Sequence, residues 1–193
     1  MVPNEKIGLA QFWGTGADYF APYGGGEAFL LQERASWEVA EICRKKPFKP
    51  HPQAEQRRRS AVALVKLILA NRTSPALETH VTELLMLLLW KLTEAESSKY
   101  RTRFQSARAL VTKDPKQLRH EHVYQRSKMI QALLRASADQ IDGILRDAVA
   151  CTVTCDEHDR LAQFDKDYGW ERYRKAHIEV INRETGKIHE LAG

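Results

Sequence analysis

The sequence predicts an α+β protein, mainly α-helical, and three observations carry that expectation. Apolar residues recur at helical spacing in two long runs between residues 54 and 93. After residue 113 short β-rich segments appear, among them Ala148 to Thr154 (AVACTVT) and the alternating His177 to Asn182 (HIEVIN). Two capping boxes, Ser137-Ala138-Asp139-Gln140 and Thr154-Cys155-Asp156-Glu157, mark helix starts between and after these segments. The chain then divides into an irregular N-terminal arm (1–26), a helical region (27–112) and a small mixed unit (113–193) that closes in a β-hairpin.

At 193 residues, 43% hydrophobic and 28% charged, the chain has the composition of a folded globular protein. The longest apolar run, Leu84 to Trp90, falls far short of the roughly 20 residues a bilayer span needs. No basic start with an apolar core resembles a secretory signal, so a soluble, cytoplasmic protein is expected. Three cysteines without C-x-x-C spacing favour reduced thiols over a disulfide framework or zinc ribbon. Charge is unevenly placed: Lys99 to Lys128 holds nine Lys or Arg against two acids (+7), whereas Ser137 to Glu171 holds nine acids against three bases (−6). A basic stretch beside an acidic one suits a phosphate backbone held next to a cation site.

In chain order, the arm is rich in glycine and aromatic residues without a period, and Glu27 to about Lys45 reads as an amphipathic helix. Pro47, Pro50 and Pro52 enforce an extended break. A helix follows from about Ala54 to Asn71, with Arg57-Arg58-Arg59 in its first turns against the helix dipole, a local cost that hints at an anionic partner. Ser74-Pro75 launches the next helix, through about Thr93, which is apolar all round from Leu84 to Trp90 and so belongs in the core or at an interface with another subunit or protein. Ser97 to Thr112 interleaves basic residues with Tyr100 and Phe104. Beyond the Asp114-Pro115 turn come a short strand (Leu118 to Val123), a helix (Ser127 to Arg135), a helix started by the first capping box, the strand Ala148 to Thr154, and a helix with His158 in its first turn. Trp170 to Lys175 is expected to be helical, and Glu184-Thr185-Gly186 to turn the chain into the final hairpin.

His120-Glu121-His122-Val123 on one strand and Glu157-His158 on the helix after the second strand follow the order of a ββα-metal finger. Over about residues 118–161 the chain resembles the HNH endonucleases. That resemblance implies His122 as general base, Glu121 as a metal ligand and His158 as the facing ligand from the helix. His120, two residues from His122 and therefore on the same side of a strand, is a rival ligand to Glu121. The implied cofactor is a divalent metal, Mg²⁺ or Mn²⁺, with Zn²⁺ ranked below them. No asparagine lies between His122 and His158, so Gln125, Gln131 or a backbone carbonyl would have to orient the base.

Phosphodiester hydrolysis needs a water made nucleophilic near neutral pH and a cation for the charge that develops on phosphate. The expected function is metal-dependent cleavage of nucleic acid, DNA ahead of RNA, with Arg101, Arg103, Arg119, Arg126 and Lys128 contacting phosphates. The alternative is a non-catalytic nucleic-acid-binding or oligomeric assembly subunit built around the apolar helix at 75–93.

Overall fold

A computed structural model describes residues 41–44, 46–72 and 78–191. The arm, nearly all of the first expected helix and the Ser74-Pro75 start lie outside the described residues; residues 41–44 are helical. The remaining elements are α1 (Ala54–Ala70), α2 (Glu78–Thr93), β1 (Phe104–Ser106), α3 (Ala107–Val111), a 3-10 turn (Pro115–Gln117), β2 (Leu118–His122), α4 (Arg126–Arg135), α5 (Ile141–Arg146), β3 (Ala150–Thr154), α6 (Cys155–Ala162), α7 (Trp170–Lys175), β4 (Val180–Asn182) and β5 (Lys187–Ile188). The protein is α+β and mainly helical, as its patterning predicts.

The helices α1, α2, α4 and α5 enclose one core through Val65, Leu85, Leu89, Leu133 and Leu145. Although apolar all round from Leu84 to Trp90, α2 fully buries one face: Val81, Leu85, Leu88, Leu89 and Leu92 point inside, while Leu84 and Leu87 remain half exposed. The second core joins the sheet to α6 and α7 through Cys151, Val153, Leu161, Tyr173 and Val180. No described helix is long and apolar enough to cross a membrane.

The sheet runs β2-β3-β1-β4-β5, with β1 parallel to β3 and the other neighbours antiparallel. Its middle strand, β1, comes from the region read as helical, because three residues (Phe-Gln-Ser) are too few to show a period. Ser106 then caps α3 by accepting from the Ala109 amide at 3.0 Å, and donates its own hydroxyl to Glu157 at 2.5 Å. That single side chain ties the middle of the sheet to the start of α6. β2 pairs only with β3 among the described residues, so one edge of the sheet lies open beside it.

The turn into α7 depends on Gly169, whose φ of +63° and ψ of −141° fall where side chains other than hydrogen are rarely accommodated. A Cβ there would stand 2.5 Å from the Tyr124 ring, itself packed edge-on against Tyr168. Gly169→Ala is therefore expected to destabilise the protein by about 1–3 kcal/mol or more. Urea unfolding measures it, and an unchanged midpoint would contradict the account.

Candidate active site

The site is built on β2 and on the start of α6. Along β2 side chains alternate, so His120 and His122 face one side of the sheet and Arg119 and Glu121 the other. β3 runs beside it in the register His120↔Thr152, Glu121↔Cys151, His122↔Ala150. At the end of β3 the Thr154 capping box forms in full: the Thr154 hydroxyl accepts from the Glu157 amide at 3.3 Å, and Glu157 accepts from the Thr154 amide at 2.9 Å. This reversal lays the first turn of α6 back over β2. His158 Nδ1 thereby comes within 2.7 Å of Glu121 Oε2.

Glu121 is anchored on its other oxygen as well. Arg172, a buried guanidinium on α7, donates to Glu121 Oε1 at 3.1 Å and to Asp165 at 2.8 Å. On the opposite side of β2, His120 Nε2 bonds the Thr93 hydroxyl at 3.0 Å, and the Trp90 ring lies 4.8 Å from the His120 ring and 5.3 Å from that of His122. Arg126, at the start of α4, stacks its guanidinium over Trp90 at 5.3 Å. Because β2 is at an edge, residues from both of its faces reach one cavity of about 400 Å³, lined among others by Trp90, His120, Glu121, His122, Arg126 and His158.

Burial decides the charge of the two histidines facing Trp90. Desolvation pulls His120 down to about 4, with Lys99 and Arg126 acting the same way and Glu94 opposing. Desolvation, then Arg126 and then His120, pull His122 down to about 3. Both are neutral imidazoles at pH 7, and His122 Nε2 is buried without a hydrogen-bond partner among the described residues. Arg126 is itself lowered by desolvation and held up by Glu121, and it stays a cation.

These values fix a sign for stability. The unfolded histidines titrate near 6.5, so as pH falls the unfolded chain takes up protons before the folded one does. Stability contributed by the buried neutral rings is complete above about 6.5 and is lost as the pH falls towards about 4 for His120 and about 3 for His122. Unfolding free energies from urea titrations at pH 7 and pH 5 should differ by about 2–4 kcal/mol on this account, and a variant with both histidines changed to glutamine should lose most of that difference.

Of the residues singled out from sequence, Glu121, His122, His158, His120 and Arg126 line the shared cavity. Glu121 and His120, rival ligands by sequence, have different partners: Glu121 meets His158, and His120 meets Thr93. The other basic residues lie elsewhere. Arg103 is held between Glu96 and Glu184, and Lys128 donates to the carbonyls of Asp165, Lys166 and Asp167. Arg119 is exposed and bonds the carbonyls of Lys116 and Leu118, while Arg101 is exposed. Of the stand-ins for the missing asparagine, Gln125 lines the cavity but donates to Asp165 and Asp167, and Gln131 is exposed. Trp90, Thr93 and Arg172 were not assigned to the site from sequence; the all-apolar run ending in Trp90 and the Trp170 to Lys175 helix were the nearest signals.

A divalent cation with bonds of about 2.1 Å holds two neighbouring ligand atoms about 3 Å apart. Glu121 Oε2 and His158 Nδ1, at 2.7 Å, share a direct hydrogen bond, and the two could both ligate one cation only if its arrival displaced that proton. No group of three or more His, Cys, Asp or Glu converges to hold a metal among the described residues. Protein-family models, curated proteins and solved structures give no match to this chain.

Proposed function

We propose that this protein is a metal-dependent endonuclease of HNH-like type, hydrolysing phosphodiester bonds of nucleic acid, with DNA ranked ahead of RNA. The observation that carries the reading is the 2.7 Å approach of Glu121 to His158 across an antiparallel strand pair and a capped helix, with His122 and Arg126 on the same cavity. Glu121 and His158 would hold the cation, which supplies charge stabilisation at the phosphate. His122 Nε2, neutral and without a hydrogen-bond partner among the described residues, would accept the proton of the attacking water as its oxygen bonds to phosphorus and the bridging P–O bond breaks, the leaving oxygen taking a proton from solvent. Arg126, stacked on Trp90, would contact a non-bridging phosphate oxygen. The single observation that favours the second reading, a non-catalytic nucleic-acid-binding subunit, is Arg172, which already supplies Glu121 with a positive charge.

The test is incubation with plasmid, single-stranded DNA and RNA in Mg²⁺ or Mn²⁺, with and without EDTA, beside Glu121→Gln. Cleavage that EDTA and Glu121→Gln each abolish supports the nuclease. Salt-sensitive binding of all three substrates without cleavage supports the binding subunit instead.

A further inference from the structure

The arginine run at the start of α1 has no role in the site just described, yet one of its members lines a second cavity. This space, of about 240 Å³, takes Arg58 from α1, Arg146 from the end of α5, Arg103 from the approach to β1, and Glu96, Ser97 and Thr93 from the end of α2 and beyond. Its charges do not cancel. Glu96, the one carboxylate of the lining, is held by both ends of the Arg103 guanidinium at 2.8 and 3.0 Å, and Arg103 reaches Glu184 besides. Arg58 gives one of its five N–H donors to the Leu145 carbonyl at 3.0 Å, which sets it beside the residue that precedes Arg146. Neither Arg58 nor Arg146 stands within ion-pair distance of a carboxylate among the described residues, although the charge of Arg146 acts on neighbouring Asp147. Capping a helix carbonyl explains one donor of Arg58; it does not explain two arginines lining one hollow.

The position of this hollow matters. β1 and β3 are parallel, so both begin at one end of the sheet, and antiparallel β2 ends there with His122. Ala150, the register partner of His122, lines the hollow, and Thr93 lines it while bonding His120 of the candidate active site. Paired Cα atoms in antiparallel strands are about 5 Å apart, so the second cavity begins within one strand spacing of the candidate base.

We infer that the Arg58–Arg146 cavity binds a phosphate group. Guanidinium forks match phosphate oxygens two at a time, and the hydroxyl of Ser97 adds a further donor. That this phosphate belongs to a nucleic-acid strand running on from the candidate active site rests on the nuclease reading; phosphate binding as such does not.

The experiment uses the full chain, with Arg146→Gln and the double variant Arg58→Gln/Arg146→Gln. Arg146 is exposed, so the single variant keeps the question open if Arg58→Gln weakens folding. Binding of a labelled 12-nucleotide single-stranded DNA is followed by anisotropy across a salt series, and inorganic phosphate is titrated by calorimetry. The expected result is about 5–20-fold weaker DNA binding and a salt slope reduced by about one for each arginine removed, whether or not the protein cleaves DNA. Phosphate binding that disappears in the variants while DNA binding is unchanged also supports the cavity, as a site for free phosphate. Folded variants, shown by unchanged melting, that bind both probes as the wild type does overturn the inference.

Discussion

His122→Ala is expected to lower the rate of the proposed metal-dependent cleavage by about 10²-fold, the low end for a positioned general base because burial holds the ring down to about 3, while DNA binding changes little. The separation follows from where the ring sits. Its Nε2 is buried without a hydrogen-bond partner among the described residues, the ring contacts Trp90 and His120, and the neighbouring positive charge is that of Arg126 on Trp90. The acid-shifted ring is buried in the absence of substrate, so the alanine variant also removes a group that costs stability below about pH 6.5, and it should resist mild acid better than the wild type. Single-turnover cleavage with Mn²⁺, together with anisotropy on the same oligonucleotide, distinguishes loss of chemistry from loss of binding. Equal cleavage by the variant would remove His122 from the reaction.

What was legible in the sequence was local. The Thr154 box could be read from four residues because both of its hydrogen bonds close within them, and it fixes where His158 points. The Ser137 box misled by the same token: the Ser137 amide does donate to Gln140 Oε1, but its hydroxyl turns to Asp139, and the helix begins only at Ile141. The edge position of β2, which lets Glu121 and His122 share a cavity from opposite faces, depends on which strands pair, and alternation alone argues against it. Arg172 lies 51 residues from Glu121 and Trp90 comes from another layer, so no spacing rule joins them to the site. Charge runs were the least informative. Arg103 and Lys128 stand in the same basic stretch as Arg126, yet their charges are spent on carboxylates and carbonyls within the protein.

Arg172→Met is expected to destabilise the protein by about 3–5 kcal/mol, because it leaves Glu121 nearly buried without its guanidinium partner. Glu121→Gln should cost less, since Arg172 retains Asp165 and the Leu161 carbonyl. Combined in one chain, the two substitutions should cost less than their sum, and urea unfolding of the four proteins yields the coupling directly. The same cycle bears on the proposed chemistry. Arg172, which bonds Glu121 Oε1, and a divalent cation held by Glu121 and His158 would share one carboxylate. Removing the guanidinium takes away a repelling charge, so Mg²⁺ or Mn²⁺ should raise the melting temperature of Arg172→Met more than that of the wild type, by linkage between binding and folding. Glu121→Gln should abolish the rise in both backgrounds. If the metal stabilises neither protein, or stabilises the Glu121→Gln variants equally, then Glu121 is a partner for Arg172 and His158 alone, and the metal reading of this pair fails.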